Sequence, residues 1–164
     1  MRSGATRGPS RPHWRDMRTD ISITDRIGNG IVAGFIATLV ISALHEPVVL
    51  LTAAVGMDAP ATGWLLHFFV GTLLWGGLFG IVHDYLFGPS WLRGITFATI
   101  AWLIVMLGVM PAADMGLFGL DVDIMVPIVV ALFHLFYGVL LGATYGKLVD
   151  TDEAREHDAH HVHH

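Results

Sequence analysis

Apolar residues dominate the chain from about residue 27 to residue 146 in long runs, and polar positions gather at the two ends and in a few short breaks. A bilayer core about 30 Å thick needs about 20 consecutive apolar residues in helical form. Counted this way, the pattern predicts spans over 27–47, 61–87, 92–110 and 124–148. Lipid offers the backbone no hydrogen-bonding partner, so each span must be a helix. Gly88-Pro89-Ser90 breaks the chain between the second and third spans, and 57–63 and 111–123 separate the others. Apolar sequence resumes after Pro47, so the first span either ends there or kinks and continues. The expected fold is an all-α polytopic membrane protein with four transmembrane helices.

One stretch occurs twice. Residues 64–74 (WLLHFFVGTLL) and 131–141 (ALFHLFYGVLL) align without gaps, pairing Leu65 with Leu132, His67 with His134, Phe69 with Phe136 and Gly71 with Gly138. Leucine matches between apolar runs are common, but histidine followed by glycine four residues later is not. The spacing suggests two pseudo-repeated hairpins related by an axis along the membrane normal. It also places His67 and His134 at matching depth. The first and third spans are less alike, matching only with a one-residue slip around Gly34 and Gly94.

Small residues predict how the helices meet, because close packing through Gly, Ala, Ser and Thr does much of the work of association in lipid. Gly30, Gly34, Thr38 and Ser42 recur every four residues in the first span, and Gly138, Gly142 and Gly146 in the fourth. The second span has Gly71, Gly76 and Gly80, with Trp75 where the gap-free alignment puts Gly142. Packing within one chain is expected from these stripes, with a homo-oligomer as the alternative.

Composition agrees with the pattern. The chain has 164 residues, 54% hydrophobic and only 14% charged, with a mean hydropathy of +0.62, which points to the lipid bilayer as its solvent. It has no cysteine, which removes disulfides and thiolate chemistry. Charge sets an orientation. If the amino terminus is inside, all nine basic residues fall on the cytoplasmic side, from the Arg-rich tail 1–26 to Arg93, Lys147 and Arg155. The opposite loops carry Asp58, Asp114, Asp121 and Asp123. Both termini are therefore expected in the cytoplasm. The tail has no apolar core of secretory-signal length and is expected to be retained. Thr24 or Asp25 is expected to cap the first helix, and Trp64 and Trp91 to anchor at the interfaces. Segment 149–164 is acidic and then histidine-rich and is expected to be a solvated, disordered tail.

Ionisable residues inside spans are rare and are functional candidates. Here they are His45, Glu46, His67, His83, Asp84 and His134. One reading makes His67 and His134 axial ligands of a haem b between the second and fourth spans, serving electron transfer. A second places a transition metal such as zinc, copper or iron among His45, Glu46, His67 and His134. A third leaves the histidines as hydrogen-bond donors to carbonyls or to Glu46, worth about 0.6 kcal/mol each in a membrane. His83 and Asp84, at the end of the second span, are expected to reach headgroup water and to need no partner. Met106, Met110 and Met125 read as gap fillers rather than copper ligands.

No phosphate loop, Gly-x-Ser-x-Gly elbow or His-Glu-x-x-His pair occurs, and no catalytic residue is assigned. The arginine tail is explained by topology, so no nucleic-acid partner is expected. The glycine-patterned spans resemble small, uncharacterised four-span membrane proteins of bacteria and archaea over about residues 28–148. The resemblance implies the fold and the cytoplasmic membrane and carries no activity. The expected function is a non-catalytic subunit of a larger membrane complex. A purely structural subunit and a small transporter or channel are the alternatives.

Overall fold

A computed structural model of the protein describes residues 21–43 and 60–161. These residues form helices and connecting turns, with no strand among them, and four helices are long and apolar enough to cross a membrane. They are α1 (Ile23–Ser42), α2 (Ala61–Tyr85), α3 (Ser90–Ala112) and α4 (Val126–His161). The chain is a multi-pass membrane protein built as a four-helix bundle.

The helix ends differ from the sequence expectation in instructive ways. α1 starts at Ile23, four residues before the first long apolar run, because the cap is Ser22 rather than Thr24 or Asp25. Ser22 Oγ accepts the Asp25 backbone N–H at 3.2 Å while its hydroxyl donates to the Asp25 carboxylate at 2.6 Å, a reciprocal variant of the capping box. α4 runs through the acidic segment as far as His161, where a disordered tail is expected from composition. After Gly146 no glycine or proline interrupts the chain up to that point, so a helix already nucleated in the membrane has nothing to stop it. Asn29 of α1 donates to Asp152 of this extension at 3.0 Å. The question of a kink at Pro47 falls outside the described residues.

The small-residue stripe of α1 is buried along its length, from Gly30 through Gly34 and Thr38 to Ser42. It faces the same chain. A Cβ on Gly30 would collide with the carbonyl oxygen of Gly76 and lie 2.9 Å from the nitrogen of Gly80. A Cβ on Gly94 of α3 would collide with the carbonyl oxygen of Gly138 and lie 2.8 Å from the nitrogen of Gly142. The contacts at the next turn also agree: Gly80 lies on the Arg26 carbonyl, and Gly142 on the Ser90 carbonyl. The two hairpins thus close through the same backbone-to-backbone contact.

That contact pairs Gly76 with Gly138, five residues away from the gap-free alignment, which pairs Gly71 with Gly138. One residue of that offset lies within α2, where Phe69–Gly76 is π-helical, and the other four are one helical turn. A π turn widens the helix, so residues five apart share a face. Gly71 and Gly76 accordingly both face α1: a Cβ on Gly71 would meet Thr38, and a Cβ on Gly76 would lie 3.1 Å from Gly34 Cα. His67 precedes Gly76 by nine residues and His134 precedes Gly138 by four. Measured from the glycine contact, the two histidines differ in depth by five residues, up to about 7.5 Å of helix.

Two apolar cores fill the bundle. One surrounds Ala33, Ala37, Phe79 and Leu141, each fully buried, with Phe97 and Tyr145. Phe79 meets Phe97 and Tyr145 edge-on at 5.3 Å in each case, and Trp75 meets Phe97 at 5.9 Å. The second core joins α3 to α4 at the other end through Met106, Met110, Val126 and Val130, where Met106 and Met110 fill space as expected. Trp102 closes it, donating its indole N–H to the Pro127 carbonyl at 3.2 Å and packing on Phe118 at 5.8 Å. The connecting loop turns sharply, with positive φ at Asp114, Gly116, Phe118 and Gly119.

Candidate functional site

The end of the bundle that carries Arg26 gathers polar side chains from all four helices. The α2–α3 connection is four residues, 86–89, so Ser90 and Arg93 return beside His83 and Asp84. Asp84 uses both carboxylate oxygens: Oδ2 pairs with the Arg26 guanidinium and Oδ1 lies 2.9 Å from His83 Nδ1. His83 Nε2 lies 3.2 Å from Ser90 Oγ. Arg93 donates through Nε to the Gly88 carbonyl at 2.7 Å and sets its NH1 3.2 and 3.4 Å from the two imidazole nitrogens. From α4, the Tyr145 ring packs against the imidazole at 4.4 Å between centroids.

This overturns the expectation that His83 and Asp84 need no partner, and for His83 the expectation of reaching water as well, while the Asp84 side chain stays half-exposed. His83 is only 7% exposed. Its burial follows from position, since α2 ends in a tight turn at His83–Tyr85 that rolls the imidazole under Ser90 and onto Tyr145. A buried imidazole must find hydrogen bonds, and the cluster supplies one for each ring nitrogen. Sequence reasoning marks His83 and Asp84 but misses Ser90 and Tyr145, and it treats Arg26 and Arg93 only as topology signals. A usable signal was present in the short Gly88-Pro89 turn, which forces residue 90 back beside residue 83.

Deeper in the bundle the pair singled out from the repeat is found engaged locally. His67 Nε2 lies 3.2 Å from Ser42 Oγ, whose hydroxyl donates to the Thr38 carbonyl at 2.7 Å. With its proton committed there, Ser42 can only accept, so His67 Nε2 is the donor. His134 Nδ1 lies 2.9 Å from the Val130 carbonyl. A carbonyl only accepts, so Nδ1 is the donor and Nε2 keeps its lone pair. Tyr137, one turn on, donates its hydroxyl to the Gly71 carbonyl at 2.5 Å, inside the π-helical stretch of α2. His45 and Glu46 lie outside the described residues. Among the described residues, no group of three or more His, Asp or Glu side chains is arranged to hold a metal ion.

Residues 24–156 match a family model described as a family of unknown function, DUF6789. No curated protein and no solved structure matches the chain.

Proposed function

The chain belongs to the DUF6789 family, whose function is unknown, and from that premise we propose that it serves as an accessory subunit of a bacterial or archaeal cytoplasmic membrane, with both termini in the cytoplasm. One observation carries this reading. Hydrogen-bonded polar side chains of the spans gather in two separate layers, one around His83 and one around His67, His134 and Tyr137. Between the layers lie Ala33, Ala37, Phe79 and Leu141, all at 0% exposure. A continuous hydrated path, which a transporter or channel needs, would have to displace that layer. The Arg26–Asp84, His67–Ser42, His83–Ser90 and Tyr137–Gly71 contacts instead hold helices to each other, and the outer apolar faces meet lipid and neighbouring subunits. The two matching glycine contacts support a duplicated hairpin as the origin of the fold.

The orientation is tested by replacing Asp121 and, separately, Asp150 with cysteine in a chain that has none of its own. In intact cells a membrane-impermeant maleimide labels Asp121→Cys and leaves Asp150→Cys unlabelled; the reverse pattern overturns the topology. The accessory role is tested by native electrophoresis of mild-detergent extracts, in which the protein migrates with stoichiometric partner subunits. Migration only as a monomer or a self-oligomer removes that role.

His134 supports a second reading, in which it ligates a haem or metal ion. Its Nδ1–H to carbonyl bond is the arrangement that fixes a ligating imidazole and leaves Nε2 toward the metal. His67, as placed, presents a donor rather than a lone pair at Nε2, so as a ligand it would have to turn away from Ser42. An absorption spectrum, oxidised and reduced, with elemental analysis decides the matter. A Soret band or stoichiometric metal that is lost in His134→Ala establishes this reading, and a featureless, metal-free sample removes it.

A further inference from the structure

A hydroxyl, an imidazole and a carboxylate stand in sequence at the Arg26 end of the bundle. Ser90 Oγ is 3.2 Å from His83 Nε2, and His83 Nδ1 is 2.9 Å from Asp84 Oδ1. An ionised carboxylate can only accept, so this bond makes Nδ1 the N–H donor and leaves the Nε2 lone pair between Ser90 Oγ at 3.2 Å and the Arg93 guanidinium at 3.4 Å. The same order of groups lets an imidazole take the proton of a serine nucleophile while a carboxylate holds its tautomer. We propose that Ser90, His83 and Asp84 form an acyl-transfer site that hydrolyses the carboxylic ester of an amphiphile at the membrane surface, an activity beyond the accessory role and independent of it.

Four features of the surroundings favour chemistry over a purely structural knot. Arg26 holds the second carboxylate oxygen of Asp84, which fixes the orienting group from outside the triad. Tyr145 and Phe79 pack on the imidazole at 4.4 and 5.4 Å, so the base is rigid. Ser90 stands at the start of α3, whose first turn has no side-chain cap; the serine hydroxyl is directed at His83, the Leu92 and Arg93 N–H groups both donate to the Pro89 carbonyl, and the Ser90 and Trp91 N–H groups have no intrahelical partner. Those two N–H groups are the donors available to a tetrahedral oxyanion, while the Arg93 guanidinium, tied to the Gly88 carbonyl, lies against the imidazole nitrogens instead. The substrate class follows from the rim. Tyr85, Phe87 and Trp91 are 80%, 92% and 50% exposed, an aromatic surface at headgroup level suited to an acyl chain, while half-exposed Asp84 opens the site to water.

The step balances with water alone. Ser90 Oγ bonds to the ester carbonyl carbon as its proton passes to His83 Nε2. The carbon–oxygen bond to the alcohol then breaks, and His83 returns the proton to the leaving alkoxide. Water adds to the acyl-Ser90 carbonyl with its proton taken by Nε2. The bond to Ser90 breaks, Ser90 regains the proton, and the carboxylic acid leaves.

The test uses the full chain purified in detergent, a fluorophosphonate probe and a p-nitrophenyl ester of a medium-chain fatty acid. The expected result is a covalent adduct on the peptide bearing Ser90, and ester hydrolysis that falls at least about 100-fold in Ser90→Ala. Asp84→Asn lowers the rate in the same direction while both variants keep the wild-type circular dichroism and gel-filtration profile. Ser90→Ala removes only a hydroxyl, so a folded sample is available even if His83 variants fail to fold. Labelling at another residue, hydrolysis unchanged in folded Ser90→Ala, or a wild-type protein that neither reacts nor hydrolyses overturns the proposal. The cysteine-labelling topology and the native complex are read separately, so loss of this activity leaves the accessory reading standing.

Discussion

Gly94 of α3 meets Gly142 of α4 with no room for a side chain: a Cβ on Gly94 would lie 2.8 Å from the Gly142 nitrogen and 2.9 Å from its Cα. The obstacle is backbone and cannot rotate away. Gly94→Val and Gly30→Val should therefore each separate a hairpin and cost about 1–3 kcal/mol or more. Gly28 and Gly108 have nothing within 4 Å of an added Cβ. Gly28→Ala should be neutral or stabilising by up to about 1 kcal/mol, since alanine loses less conformational entropy in a helix. Thermal unfolding in detergent separates the two classes, and equal losses at Gly28 and Gly94 would contradict the packing.

Tyr137→Phe removes one hydroxyl and leaves the ring. Its bond to the Gly71 carbonyl crosses from α4 to the π-helical part of α2. Interhelical hydrogen bonds in membranes average about 0.6 kcal/mol and reach about 1.7. A bond of 2.5 Å should fall in the upper part of that range. Denaturation in mixed micelles measures the loss, and a value near zero would show that the π turn stands without this contact.

His67 and Ser42 form a pair that a double-mutant cycle can isolate. Ser42→Ala and His67→Phe should be non-additive by about 0.6 kcal/mol, because each removes the same bond at 3.2 Å. His134 bonds within its own helix at Val130, so His134→Phe combined with Ser42→Ala should be additive. Coupling of Ser42 to His134 but not to His67 would contradict the assignment.

The extension of α4 is held to α1 by Asn29 and Asp152 at 3.0 Å. Asp152→Ala should leave the melting temperature of the spans nearly unchanged, since a single part-buried interhelical hydrogen bond contributes about 0.6 kcal/mol on average. It should instead speed tryptic cleavage after Arg155 several-fold by releasing the extension. Unchanged cleavage would show that the extension holds its position without α1.

Asp84→Asn tests the cohesion of the Arg26 end. Arg26 and Asp84 are both partly exposed, so the ion pair itself should contribute about 1 kcal/mol or less. Tyr145→Leu removes an aromatic partner of buried His83 and should cost more, about 1–3 kcal/mol. The reverse ranking in thermal unfolding would indicate that charge, not packing, closes this end.

The sequence by itself determined the membrane class, the four spans, the intramolecular direction of the α1 stripe and the filling role of Met106 and Met110. All of these depend on local composition and on helical period, which any apolar helix in lipid must obey. Only the tertiary structure decided the rest. The gap-free repeat pairs Gly71 with Gly138, but the backbone contact pairs Gly76 with Gly138: a π turn adds one residue and the contact lies one further helical turn along, and neither leaves a gap in the letters. Composition alone suggests a disordered tail after residue 149, yet α4 continues because an established helix propagates until something stops it. His83 and Asp84 read as solvated span-end residues, and the cluster they join draws Arg26, Ser90, Arg93 and Tyr145 from separate helices. Whether an imidazole at a helix end faces water or a serine hydroxyl depends on where the following turn returns the chain, and that is a property of the packed bundle.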